Sequence, residues 1–234
     1  MKSNKNKIFK MCLLGLFITT SLLLGGCSSK KANEDKYVKT MARMQEDAFV
    51  IQLFKVKILS IIEKSEKEGN LEATEYLGLT LQPKLDSTTY QVLKDASPNS
   101  AHGKMLFLLN NYCDVNSQED LDMWHKTRDA VLEASEELES LGKEMTSYKD
   151  AIDPDCFAEG KKYYNAAVSL SERLIPYSKD DIDSWVKQLS ADTKELQDAS
   201  KEMSLYYDIE VDYESVCQRM FGKSSAELKE LLQE

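Results

Sequence analysis

Apolar residues recur at intervals of three and four through residues 36–68, and no proline or glycine interrupts them. This spacing predicts one long amphipathic helix that stops at Gly69, because glycine favours a helix end. An average spacing near 3.5 residues is typical of coiled-coil seams, so we expect the helix to pack along its length against others. The predicted seam consists of Tyr37, Met41, Met44, Ala48, Ile51, Phe54, Ile58 and Ile61.

The second half of this predicted helix is unusually apolar. Eleven of the fifteen residues in 48–62 are apolar. A helix that is apolar on nearly every side is usually enclosed by other helices, which predicts a central core position. The alternative is a surface that docks a partner or an apolar ligand.

Region 70–115 is less regular, since Pro83 and Pro98 interrupt it and proline breaks helices. We interpret it as an irregular helical insertion. Short helices are predicted near 71–79, 86–96 and 100–113.

Three further long helices and a short one are predicted after the insertion, each starting at a recognisable N-cap. Asp153-Pro154 places proline at a first helical position. The predicted inward stripes are Leu121, Trp124, Val131, Leu138, Leu141, Met145 and Tyr148 in one helix, and Ile182, Trp185, Leu189, Leu196, Met203 and Tyr206 in another. The helices and their capping pairs are 118–150 (Ser117 with Asp120), 154–175, 179–207 (Ser178 with Asp181) and a terminal helix capped by Ser224 with Glu227.

Two of these helix starts resemble each other: 117–126 and 178–187 share five of ten residues at an offset of 61. Duplication of a helical hairpin and convergent capping both explain the echo. Acidic residues favour the positive end of a helix dipole, so we interpret these acids as structural. A two-carboxylate metal site at each start is the alternative.

The acid-apolar alternation in 208–214 predicts a solvated connector, with an extended acidic segment or a weak cation site as alternatives. Short connections between the last long helices require antiparallel neighbours. The predicted fold is therefore all-α: an elongated antiparallel helical bundle with coiled-coil-like seams, formed by residues 36–234 as a single domain.

Composition agrees with a helical protein, since 234 residues include only 9 Gly and 4 Pro. Net charge is −10 overall and −14 for residues 27–234, because the first 26 residues contain four lysines and no acid. Such an acidic surface repels phosphate backbones, which argues against nucleic acid as a partner. It also argues against electrostatic docking of the folded body on anionic lipid.

The opening segment has the layout of an export signal. Four lysines precede the apolar run 11–24, which is too short to span a bilayer, and small residues follow it. Leu24-Gly25-Gly26-Cys27 resembles a bacterial lipobox, with Gly25 a mild departure from the usual Ala or Ser. That resemblance covers residues 1–27 only and implies that 1–26 is a lipoprotein signal peptide.

The lipobox resemblance further implies that Cys27 becomes the mature N-terminus and carries a diacylglycerol and an N-acyl chain. The protein would then lie on the extracytoplasmic face of a bacterial membrane, anchored through its lipid. Residues 27–35 are polar and are predicted to form a short acylated tether. Ser28 leaves open whether the host has one membrane or two.

Catalytic and cofactor motifs are absent from the sequence. His102 and His125 have no partner at metal-ligand spacing, and neither a P-loop nor a G-x-S-x-G or dinucleotide motif occurs. No metal and no cofactor beyond the lipid are expected. Disulfides are permitted outside the cytoplasm, and the predicted topology brings only Cys156 and Cys217 to the same end, so any bridge should join these two rather than Cys113.

These observations predict a non-enzymatic lipoprotein that binds or scaffolds an envelope protein. A small-molecule or solute-binding lipoprotein is the first alternative, and it requires a cavity beside the apolar half of the first helix. An enzyme with an unrecognised carboxylate and histidine site is the second.

Overall fold

The computed structural model describes residues 28–69, 94–173 and 179–226. Within them every regular secondary-structure element is a helix, which confirms the all-α prediction. The helices in chain order are α1 (Ser28–Lys67), α2 (Ala101–Tyr112), α3 (Gln118–Ser147), α4 (Pro154–Glu172), α5 (Lys179–Met203) and α6 (Tyr213–Phe221).

Helix α1 is the centre of the fold. All eight predicted seam residues are buried, and none exposes more than 6% of its surface. Val50 and Ile62, which lie off the seam, are buried as well. The prediction that the apolar half of this helix lies in the core is therefore confirmed.

Helix α1 begins earlier than predicted. The polar segment 28–35, expected to form a short tether, is helical and continuous with the core helix. It contains no proline or glycine, and its Lys, Ala and Glu residues favour helix. Lys30 Nζ lies 4.0 Å from Glu34 Oε1, an i,i+4 ion pair that adds local support.

Side-chain contacts fix the direction of each helix relative to α1. Arg43 contacts Glu137 and Phe54 contacts Trp124, so α3 runs antiparallel to α1. Helix α5 is also antiparallel, because Tyr37 contacts Met203 and Gln52 donates a hydrogen bond to Thr193.

Helix α4 runs parallel to α1 and packs closely against α5. The Tyr37 hydroxyl donates to the Cys156 carbonyl at the start of α4, and Lys55 donates to the Arg173 carbonyl at its end. The predicted antiparallel neighbours α3–α4 and α4–α5 are thus found.

The predicted starts of α3 and α4 agree with the structure. Ser117 accepts a hydrogen bond from the Asp120 backbone at 3.1 Å, and its hydroxyl donates to Asp120 Oδ2 at 2.8 Å. Asp153 caps α4, with Pro154 at the first helical position. Ser178, which carries the second copy of the internal echo, lies outside the described residues.

The predicted helix 100–113 is confirmed as α2, whereas the predictions for 71–79 and for 86–96 up to residue 93 lie outside the described residues. Most of the predicted α3 stripe is buried, with Val131 and Tyr148 partly buried against the core. Tyr206 is 42% exposed, contrary to the prediction, because α5 ends at Met203 and the chain turns there.

Residues 213–221, placed partly in a connector, form helix α6 instead. Asp212 caps it by accepting from the Ser215 backbone at 3.0 Å, and Gly222 ends it at a φ of 62°, a left-handed conformation that glycine adopts readily. Val216 and Met220 are the buried residues of this helix. The helix predicted to start at Ser224 lies mostly outside the described residues.

Close packing at the start of α4 gives a first testable prediction. A Cβ added to Gly160 would overlap the hydroxyl of Tyr37, which is fully buried and cannot move aside. Overpacking costs about 1–3 kcal/mol, whereas the higher helix propensity of alanine relative to glycine contributes roughly 1 kcal/mol of stability. We expect Gly160→Ala to lower the free energy of unfolding by about 1 kcal/mol, measured by urea denaturation.

Gly142→Ala is the matched control. Its Cβ would meet the ring of Tyr164, which is only half-buried and can rotate outward. We expect this variant to be neutral or slightly more stable than the wild type. Equal losses for the two alanine variants would contradict the account of packing at Gly160.

Candidate functional site: a buried ion-pair cluster

The most unusual polar group of the core is Asp47, a carboxylate in the middle of α1 whose side chain is 0% exposed. Arg219 Nη1 of helix α6 lies 2.8 Å from Asp47 Oδ1. Asp47 Oδ2 has no hydrogen-bond partner. A buried carboxylate with one oxygen unpaired is costly, so its presence needs an explanation.

Further charged groups extend this pair into a cluster, here called the Asp47 cluster: Asp47, Arg219, Glu133, Arg43 and Glu137. Arg219 Nη2 lies 3.8 Å from Glu133 Oε2, and Arg43 Nη2 lies 2.9 Å from Glu137 Oε2. The cluster therefore joins α1 and α6 to α3.

Three other contacts hold α6 in place. Glu46 Oε1 accepts a hydrogen bond at 3.1 Å from the backbone of Asp212, the residue that caps α6. The Thr127 hydroxyl donates to the Met220 carbonyl at 2.7 Å, and the rings of Phe49 and Tyr213 meet edge to face with centroids 5.6 Å apart. Helix α6 is thus attached along its whole length.

Burial raises the pKa of Asp47 to about 6, although the hydrogen bond and charge of Arg219 act in the opposite direction. A carboxylate of that pKa suits general acid or base chemistry near neutral pH. Such chemistry needs access to a substrate, however, and Asp47 exposes no surface. The arrangement therefore acts as a clamp that positions α6.

A second polar cluster joins α1, α4 and α5. Arg173 Nη2 lies 2.5 Å from Asp192 Oδ2, and Ser169 contacts both side chains. Lys55 of α1 donates to the Arg173 carbonyl, which satisfies the end of α4. Burial lowers the pKa of Lys55 to about 8, and the charge of Arg173 adds to this effect.

The buried thiols of Cys113 and Cys156 offer little reactivity. Burial raises the pKa of Cys113 to about 12 and that of Cys156 to about 11, which disfavours the thiolate that acts as nucleophile.

The structure shows no disulfide between Cys156 and Cys217. Cys156 lies beside Tyr37, whereas Cys217 is two residues from Arg219, which pairs with Asp47. Ten residues separate these levels of α1, or about 15 Å of helix, and a disulfide needs Cα atoms within about 7 Å. The two cysteines were expected at the same end of the bundle, but residues 207–212 carry the chain from the level of Tyr37 to that of Glu46 before α6 begins.

The two histidines lie on different helices, His102 on α2 and His125 on α3. Burial lowers the pKa of His125, and Arg128 adds to this effect. Across residues 28–69, 94–173 and 179–226, no group of three His, Cys, Asp or Glu side chains is placed to hold a metal ion. The metal alternative for the acids at the start of α3 gains no support.

Two voids bear on ligand binding. A void of about 20 Å³ lies beside Lys57, Cys113 and Trp124, which is room for one water molecule. A groove of about 420 Å³ between α4 and α5 is open to solvent. Its lining is mostly charged: Glu159, Lys162, Lys194, Glu195, Asp198 and Glu202, with Ala191 and Ala199.

Both lysines of the groove have intrahelical partners, since Lys162 pairs with Glu159 and Lys194 with Asp198. Within each solvated pair the two charges compensate each other, so the groove does not indicate a particular ligand.

Cys27, the predicted lipid attachment, lies outside the described residues, one position before α1. No helix within the described ranges is long and apolar enough to cross a bilayer.

Sequence reasoning missed Asp47 and Arg219. Asp47 immediately precedes the seam residue Ala48, and a charge so close to an apolar seam is the signal that could have identified it. Arg219 gives a weaker signal, because its burial depends on a helix that was not predicted.

A comparison of the chain with protein-family models, curated proteins and solved structures gave no match.

The Asp47–Arg219 pair generates a second prediction. Removing one partner of a buried pair leaves a charge uncompensated, which costs about 3–5 kcal/mol, whereas replacing both by apolar residues is often neutral. We expect Arg219→Met to lower the free energy of unfolding by much of this cost. The double variant Asp47→Leu, Arg219→Met should recover most of the lost stability. Urea denaturation at neutral pH measures both.

The penalty of Arg219→Met should shrink at about pH 4, because the isolated Asp47 then takes up a proton in the folded state and becomes neutral. Because the pKa of Asp47 is raised in the folded state, its protonation reduces the penalty at low pH, and this reduction is lost as pH rises. Additive losses in the double variant, or a penalty that does not change with pH, would contradict the clamp.

Proposed function

We propose that this protein is a lipid-anchored protein of the bacterial cell envelope, held on the extracytoplasmic face of a membrane, where it binds or scaffolds another envelope protein. The starting point is the lipobox-like sequence Leu24-Gly25-Gly26-Cys27 behind a lysine-rich apolar segment. In this proposal Cys27 carries a diacylglycerol and an N-acyl chain. Several acyl chains give stable anchoring, since each buried CH₂ contributes about 0.8 kcal/mol.

The observation that carries the proposal is the continuity of α1. The helix begins at Ser28, one residue after Cys27, and continues to Lys67 inside the core. A lipid on Cys27 would therefore connect to the centre of the fold through helix rather than through a flexible tether. Such a connection suits a protein that presents its surface at a set distance from the membrane.

The interior of the described structure supports a role without catalysis. Asp47 is enclosed, and the raised pKa values of Cys113 and Cys156 keep these thiols protonated. The Asp47 cluster and the cluster of Arg173 with Asp192 connect helices to one another. Surface recognition of a protein partner is then the simplest use of the fold.

The alternative of a solute-binding lipoprotein requires a cavity beside residues 48–62. The void found next to this part of α1 has room for a single water molecule, and the core residues there pack closely. This packing favours recognition at the surface over enclosure of a ligand.

The experiment that tests the proposal is crosslinking of the full-length protein in cells, followed by mass spectrometry of the N-terminal peptide and of the adducts. We expect a mature chain that starts at acylated Cys27, and one recurrent envelope protein among the adducts. The Cys27→Ser variant should lose the acyl mass, membrane retention and the adduct together.

An unmodified Cys27 in the wild-type protein would overturn the anchoring. Acylated Cys27 without any recurrent partner would leave the anchor in place but reject the scaffolding role.

A further inference from the structure

We propose that Leu205 and Tyr206 insert into the headgroup region of the lipid bilayer and so set the orientation of the folded body on the membrane. This inference rests on the proposed lipid anchor at Cys27. It adds a second, non-covalent membrane contact that the anchor alone does not imply.

Among the residues that the structure describes, Leu205 and Tyr206 are the two exposed large apolar residues that are neighbours in sequence, at 73% and 42% exposure. They lie in the turn that follows α5. Backbone hydrogen bonds from Leu205 to the Glu202 carbonyl and from Tyr206 to the Met203 carbonyl, at 3.1 and 3.0 Å, hold this turn in shape. The two side chains are therefore presented outward by a fixed backbone.

The turn lies at the end of the molecule where α1 begins. Met203 Sδ is 3.9 Å from the Tyr37 hydroxyl, and the Tyr207 ring lies 6.0 Å from the Tyr37 ring between centroids. Glu34 is close enough to act on the Tyr207 hydroxyl by its charge. The turn is thus level with the first turns of α1.

The distance from this level to the lipid is short. Glu34 follows Ser28 by six residues, which is about 9 Å of helix rise, and Cys27 immediately precedes Ser28 in the sequence. The interfacial layer of a bilayer is about 5–8 Å thick on each side, so a modest tilt of α1 brings the turn into it. An anchor at one edge of the body permits this tilt.

The chemistry of the pair suits the interface. Tyrosine is enriched where membranes meet water, since its ring is apolar and its hydroxyl is polar, and leucine contributes apolar area. The carboxylates of Asp155, Asp153 and Glu202 are close enough to act on the Tyr206 hydroxyl by their charge, so the ionised groups around the turn are acidic. Electrostatic attraction therefore does not explain docking at this end, and apolar contact is left to determine the orientation.

The test uses the full-length acylated protein, purified from membranes and reconstituted into phosphatidylcholine vesicles with brominated acyl chains, which quench tryptophan. The native Trp124 and Trp185 are buried, so a Tyr206→Trp substitution reports on its own position. We expect the emission added by Tyr206→Trp to be lost in brominated vesicles. Adding Leu205→Ser should restore part of it, whereas Leu132→Ser, which removes an exposed leucine in the middle of α3, should not.

Phe107→Trp is the matched control for position. Phe107 is 53% exposed on α2, whose end contacts Lys64 at the opposite end of α1. Its emission should be unaffected by the brominated chains.

The mass of the N-terminal peptide from the same sample separates the two claims. Acylated protein whose Tyr206→Trp emission is not quenched overturns the insertion and leaves the anchor standing, and it points to a protein partner on this turn. Unacylated protein overturns the anchor and the insertion with it.

Discussion

The whole structure depends on the enclosure of α1, a helix that is apolar on nearly every side over its second half. Exposure of such a helix to water is strongly unfavourable, because burial of each apolar side chain contributes about 1.5–3 kcal/mol of free energy that is lost in water. Helices α3, α4, α5 and α6 each contact it and cover different faces. Helices α3, α4 and α5 alternate in direction because they must enclose α1 and are joined by short connections.

Charge is used sparingly inside this arrangement, and it is placed where helices join. The Asp47 cluster attaches α6 and α3 to α1, and the cluster of Arg173 with Asp192 attaches α4 and α5. A buried ion pair contributes little net stability, but a wrong pairing leaves a charge unpaired and is strongly disfavoured. These clusters therefore specify which helix packs where, while apolar burial supplies the stability.

The features that follow from local sequence could be predicted from it. The seam of α1 and the caps Ser117 and Asp153 depend on residues within a few positions of each other, and the structure confirms them. The predictions were wrong where contacts between residues far apart in the sequence determine the structure. Helix α6 is nine residues long and would be marginal alone, so its existence depends on Asp47 and Thr127 far earlier in the chain. The helical start at Ser28 is a different case, since local propensity favours helix there and the polar segment was interpreted only as a short tether.

The central functional claim is that a lipid on Cys27 is connected through continuous helix to the core. Hydrogen exchange of the backbone amides of residues 32–36, measured on the acylated protein bound to membranes, tests it most directly. Continuous helix places these amides in i to i−4 hydrogen bonds and predicts exchange much slower than in an unstructured chain. Exchange at the unstructured rate, with protection starting only near Tyr37, would show a flexible tether and contradict the claim.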